Sequence, residues 1–171
     1  ADANLTFVDG ASSVVLDSTY KEYLFTFNNI HPATDDSKLL VNFRDGGTNY
    51  DATKTTTFFR AQHSEGGANG NLSYRTDDDL AQSTAAQPLT MDIGNANDES
   101  ASGEMILYNP SSTTFVKHFI ANANCVYSGD YSMQSFVAGY CNVTAAIDAV
   151  QFTMEGGTNI DSGDICLYGI L

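Results

Sequence analysis

Basic residues are scarce in this 171-residue chain: seven Lys and Arg stand against 21 Asp and Glu, for a formal net charge of −14. A surface this acidic repels the phosphate backbone that dominates nucleic-acid affinity, and repels an anionic membrane for the same reason. Apolar runs are short, Val14-Val15-Leu16 and Leu39-Leu40-Val41 being typical, against the roughly 20 consecutive apolar residues of a bilayer-spanning helix. Nucleic acid and membrane insertion are therefore not expected. Tryptophan is absent, proline occurs three times, and the cysteines are Cys125, Cys141 and Cys166. An odd number, with no Cys-x-x-Cys or Cys/His ligand spacing, argues against a disulfide framework. Buried free thiols are the reading, with a Cys125–Cys141 bridge as the alternative. Helix-forming runs of Ala, Leu, Glu and Lys are missing as well, so little helix is expected.

Motifs for chemistry are equally sparse. No Gly-x-Ser-x-Gly elbow, His-Glu-x-x-His pair, Walker loop or post-strand Gly-x-Gly-x-x-Gly occurs, which removes the entry points of the common hydrolases, metalloproteases and nucleotide-binding enzymes. The carboxylate neighbours Asp35-Asp36 and Asp98-Glu99 point apart in extended chain, unlike a glycosidase pair. His31 precedes Pro32 and reads as a turn residue. His118 alternates with Val116 and Ile120, opposite Lys117 and Phe119, and reads as a strand residue among core neighbours. His63 ends a strand and is the histidine best placed for a ligand. A non-enzymatic protein with no cofactor is the expectation. Asp45-Gly46-Gly47-Thr48-Asn49-Tyr50-Asp51 and Asn95-Ala96-Asn97-Asp98-Glu99 offer oxygen donors for Ca²⁺, but neither follows an EF-hand order. A solvated turn is preferred over a calcium site there.

What the chain does contain is period-2 alternation, the signature of half-buried strands. It occurs at Leu5 and Phe7, Val14 and Leu16, Tyr23 to Phe27, Leu39 to Phe43, Thr55 to Ala61, and Leu89 to Ile93. It returns at Met105 to Tyr108, Phe115 to Ile120, Phe136 to Tyr140, Val150 to Met154, and Ile165 to Ile170. Gly46-Gly47-Thr48-Asn49, Gly66-Gly67-Ala68-Asn69 and Gly156-Gly157-Thr158-Asn159 share a Gly-Gly-x-Asn turn pattern at irregular spacing, because Gly and Asn tolerate positive φ. The expected fold is all-β, an antiparallel β-sandwich of jelly-roll type, with residues 1–171 as one domain. The chain starts at Ala1 without an initiator methionine, so a processed chain or the C-terminal part of a longer one is expected. The polar stretches Ser64 to Ser73 and Thr76 to Gln87 read as long surface loops, where binding sites concentrate.

Nine tyrosines supply rings with a polar tip. Tyr50, Tyr74, Tyr127 and Tyr131 lie beside Gly, Asn, Ser or Asp, outside regular alternation. They can stack on a sugar, close a loop over the core, or join a protein interface. With His63 they form the candidate ligand-binding set. Asn4, Asn71 and Asn142 head glycosylation sequons, which arise often by chance in a chain rich in Asn, Ser and Thr.

Two stretches carry a family resemblance. The first is Glu22-Tyr23-Leu24-Phe25-Thr26-Phe27-Asn28-Asn29-Ile30-His31-Pro32-Ala33-Thr34-Asp35 followed by Asn42-Phe43-Arg44-Asp45-Gly46-Gly47. The second comprises Asn109-Pro110-Ser111-Ser112-Thr113-Thr114, Ala138-Gly139-Tyr140, Ala146-Ile147 with Val150-Gln151-Phe152, and Asn159-Ile160-Asp161-Ser162-Gly163 leading to Leu167-Tyr168-Gly169-Ile170. From about Tyr20 onward the chain resembles virion structural and tail-fibre-associated proteins of marine tailed bacteriophages. The resemblance implies a virion location, assembly with other virion proteins, and no assigned reaction or catalytic residue. Self-assembly is expected too, a homotrimer by analogy with fibres, with host-surface glycan as a further partner. A glycan-binding sandwich module and a capsid decoration protein are the alternatives.

Overall fold

The computed structural model describes all 171 residues. Eleven strands alternate in direction through two sheets: β1 (Asn4–Val8), β2 (Glu22–Pro32), β3 (Leu39–Arg44), β4 (Lys54–Ser64), β5 (Gly70–Tyr74), β6 (Gln87–Pro88), β7 (Ala101–Tyr108), β8 (Lys117–Tyr127), β9 (Tyr131–Cys141), β10 (Ala149–Met154) and β11 (Ile160–Ile170). One sheet runs β1-β10-β3-β6 and the other β11-β2-β7-β8-β9-β4-β5, with every pairing antiparallel. The two pack face to face as a β-sandwich, as the alternation predicts.

The core follows from strand parity. Alternate residues Phe25 and Phe27 on β2, Met105 and Leu107 on β7, Phe119 on β8, and Phe58 on β4 turn inward from the larger sheet. Val41 and Phe43 on β3 and Val150 and Phe152 on β10 answer them from the smaller one. Phe152 is the hub, with ring centroids 5.4 Å from Phe27, 5.5 Å from Phe25 and 6.1 Å from Phe7. Phe43 meets Phe119 at 5.1 Å.

Several expected elements differ. Val14 to Leu16 is not a strand: Ser12 and Ser13 have positive φ, and Asp9 Oδ1 accepts the Leu16 N–H at 2.8 Å, so Leu16 enters the core from a looped segment. Leu89 to Ile93 also enters the core without forming a strand. Pro88 lacks an N–H, and Leu89, Thr90, Met91 and Ile93 are all buried, so the segment lies as a strap over the core with no exposed alternate face. Ser64 to Ser73 is a hairpin between β4 and β5, its turn helped by Gly67 at φ 74°. β8 begins at Lys117, leaving Phe115 exposed, and it is Lys117 and Phe119 that point inward. His118 therefore faces outward and not into the core. The cysteines are free, with Cys125 and Cys141 buried and Cys166 half-buried. Burial pushes both buried thiols up to about 12, which keeps them inert.

Two lysines are fully buried. Lys54 and Lys117 flank Cys141 across β4-β9-β8. The Lys117 ammonium donates to the carbonyl oxygens of Ser112, Phe115, Val143 and Ala145 at 2.5–3.2 Å, joining the loops before β8 and after β9. Lys54 donates to Asn42 Oδ1 and the Ala52 carbonyl, and burial pulls its pKa down to about 8. A third buried group, Asp78, holds the segment after β5 by hydrogen bonds from Lys38 at 2.8 Å and Arg75 at 2.9 Å.

Candidate functional site

The parity that fills the core leaves a second set of side chains on the outside of the seven-stranded sheet, and part of this set is apolar. Register aligns it in rows. One row runs Tyr168, Leu24, Ile106, Ile120, Ala138 and Thr57 from β11 through β2, β7, β8 and β9 to β4. The adjacent row runs Cys166, Thr26, Glu104, Asn122, Phe136, Phe59 and Tyr74, ending on β5. Beyond it Asn124, Gln134, Ala61 and Leu72 line up. Exposure reaches 51% at Ile120, 40% at Phe59, 69% at Leu72 and 51% at Tyr168. Acidic side chains on this face include Glu22, Glu104, Asp161 and Asp164, and no Lys or Arg lies among its outward strand positions. A molecule of net charge −14 thus carries one weakly charged sheet face.

Four shallow depressions follow one another along it. The first, about 400 Å³, lies over the Gly139 backbone, between Thr55, Thr57, His118, Ile120 and Tyr140. The His118 and Tyr140 rings are 5.9 Å apart at its rim. The second, about 380 Å³, is walled by Phe136, Phe59, Ile120 and Glu104. Phe59 and Phe136 stack across the strands at 4.7 Å and 11°, a cross-strand aromatic pair that stiffens the wall. The third and fourth are polar, formed by Ser102, Glu104, Asn122, Asn124 and Gln134, then by His63, Ser132 and Gln134. Gln134 Nε2 donates to Asn122 Oδ1, and Asn124 Nδ2 to Ser132 Oγ, each at 2.9 Å. The face therefore has an apolar half suited to another dry surface and an amide half suited to hydroxyl groups.

The residues singled out from sequence divide. His63 and Tyr74 are on this face, His63 beside the last depression and Tyr74 at the β5 edge with its hydroxyl donating to Asp79 at 2.6 Å. Tyr127 and Tyr131 are not: they flank the β8–β9 turn with rings 6.3 Å apart and pack partly onto the core, so they close that end. Tyr50 sits in the β3–β4 connection under the Arg44 guanidinium at 5.9 Å, and Arg44 pairs with Asp148. The five do not form one site. Three of the four carboxylates considered for acid–base work accept hydrogen bonds. Asp35 accepts from the Asn95 N–H, Asp36 from the Ser128 hydroxyl, and Glu99 from the Ala96 N–H. His31 lies at the end of β2, its Nε2 3.2 Å from the Ala96 carbonyl. Sequence reasoning missed Ile106, Ile120, Phe59 and Phe136. The signal was present in Met105-Ile106-Leu107 and Phe58-Phe59, where apolar residues occupy both parities of a strand.

No protein-family model matches the chain, and no curated protein matches it.

Proposed function

We propose that this chain is a non-enzymatic structural protein of a bacteriophage virion, part of a tail fibre or other surface appendage, and that it assembles with itself or other virion proteins through the outward face of the seven-stranded sheet. One observation carries the assembly reading: the row from Tyr168 to Ala138, apolar at every position across five strands in a chain of net charge −14. Contiguous apolar surface of this kind marks interaction sites in soluble proteins, and the scarcity of charge on it lets two acidic surfaces approach without strong repulsion. The resemblance in the His-Pro-Ala-Thr-Asp and Asp-Gly-Gly stretches supports the virion setting. Immunogold labelling of phage particles with antibody raised against the chain tests it. Label on the tail is the expected result. Label on the head makes it a capsid decoration protein, and unlabelled particles overturn the reading.

A second reading, a glycan-binding module, is favoured by the amide groups of Asn122, Asn124 and Gln134 beside the Phe136 ring, since saccharides are held by hydrogen bonds to hydroxyls with stacking on an aromatic. Glycan-array binding that Phe136→Ala and Gln134→Ala abolish would favour it.

A further inference from the structure

The two sheets have four edges, and three are blunt. β1 and β5 are five residues each, and β6 is two residues ending in Pro88. The fourth, β11, runs eleven residues and pairs only with β2. Ile160 is tied off by a bridge to Asp2, while no backbone hydrogen bond outside the β2 ladder reaches residues 161–170. Its first half is protected in the usual ways: Asp161 and Asp164 are charged, and the register is broken around Ser162, with Gly163 at φ 104° against the Asn29 carbonyl. Its second half, Ile165-Cys166-Leu167-Tyr168-Gly169-Ile170, has no charge, no proline and regular register. About 20 Å of edge is thereby left with free backbone donors and acceptors.

We propose that this half-strand is a docking edge for a second copy of the chain, which pairs β11 with β11 antiparallel about a two-fold axis near Leu167. The inference rests on the assembly reading above and narrows it to one surface. Charge selects the occupant and the direction. Antiparallel pairing centred on Leu167 sets neutral half against neutral half, places Asp164 opposite Ile170 of the second copy, and carries Asp161 past the end of the second copy's β11. Parallel pairing would set Asp164 beside Asp164. In the antiparallel arrangement Tyr168 lies opposite Cys166 of the second copy, on the outward face, so two uncharged side chains meet across the seam. A two-fold pair is closed, which also covers both edges at once.

Size exclusion with light scattering on the parent protein at micromolar concentration is expected to give the mass of two chains. Tyr168→Glu and Tyr168→Lys put a charge of either sign on an exposed side chain, and each should weaken the dimer at least tenfold while circular dichroism stays that of the parent. Leu72→Glu, a change at an exposed side chain on the opposite edge, should leave the dimer intact. A parent that stays at one chain at every concentration overturns the proposal, as does a mass of three chains. A dimer that survives both Tyr168 variants overturns this edge but leaves assembly through the sheet face standing, to be decided by the labelling above.

Discussion

Phe152 and Lys117 are equally inaccessible to solvent and hold the molecule in opposite ways. Phe152 contributes by contact: its ring meets three other phenylalanines contributed by two strands, Phe7 from β1 and Phe25 and Phe27 from β2. Phe152→Ala should cost about 3–5 kcal/mol, because the surrounding strands are hydrogen-bonded and cannot collapse into the cavity. Urea unfolding reads this as a lower midpoint at unchanged slope; a variant melting within a degree or two of the parent would contradict it. Lys117 contributes by satisfying carbonyl oxygens that its own burial could otherwise not justify. Burial pulls its pKa down, yet Lys117→Met would leave the Ser112, Phe115, Val143 and Ala145 carbonyls without their donor. A loss of about 3 kcal/mol is expected. A more stable variant would mean that desolvating the ammonium outweighs its bonds. Phe152 was legible as core from Val150, Phe152 and Met154 alone. Lys117 was not, because its partners lie on loops on both sides of it in the sequence.

At the scale of elements, strand positions were readable and the segments between them were not. β2, β3, β7 and β10 fall where alternation places them. The strap from Arg75 to Ile93 reads as loop and core in alternation because it passes from β4, bonded at Leu80 and Ser83, to the β3 edge at β6, held by Asp78 and by buried Leu89, Met91 and Ile93. Burial acts to raise the Asp78 carboxyl, but the hydrogen bonds and charges of Lys38 and Arg75 outweigh it and hold it below the usual range. A carboxyl depressed on folding contributes stability that is present above its unfolded value, about 3.9, and is lost as pH falls through its folded value. The acid limb of a stability profile should therefore steepen below about pH 4 and flatten in Asp78→Asn, which also costs about 3 kcal/mol at neutral pH. A parallel displacement of the two profiles would show that Asp78 is not the group lost. The Asp45–Asp51 connection is expected to behave as a solvated turn. Melting in excess chelator and in millimolar calcium should coincide, whereas a large rise with calcium would reveal a site stabilised by mass action.

For the whole molecule, a charge of −14 on 171 residues makes self-repulsion a general cost of compaction. Salt screens it: the Debye length falls from about 30 Å at 0.01 M to about 8 Å at 0.15 M. Melting temperature should rise over that range, and the proposed dimer should strengthen with it, since both bring like charges together. A fall in both would mean that the specific pairs Lys38–Asp78 and Arg44–Asp148 outweigh the overall repulsion.

The sequence by itself determined the class of fold, the inward parity of most strands and the turns. Each of these is set by residues within a few positions of one another: alternation for strands, and glycine or asparagine for positive φ. Tertiary structure decided which strands are neighbours, and so everything that depends on rows. Ile106 and Ile120 are ordinary strand residues until β7 and β8 pair and set them side by side. His118 looked inward because Val116 and Ile120 share its parity, and only the opposing sheet shows that Phe119 has the core. The four tyrosines looked alike in sequence because each neighbours turn residues; distance from the core and from the sheet face, which no local pattern encodes, separated Tyr74 from Tyr50, Tyr127 and Tyr131. The free edge of β11 was likewise invisible, since a strand's pairing on one side or two depends on the path of the whole chain and not on its own residues.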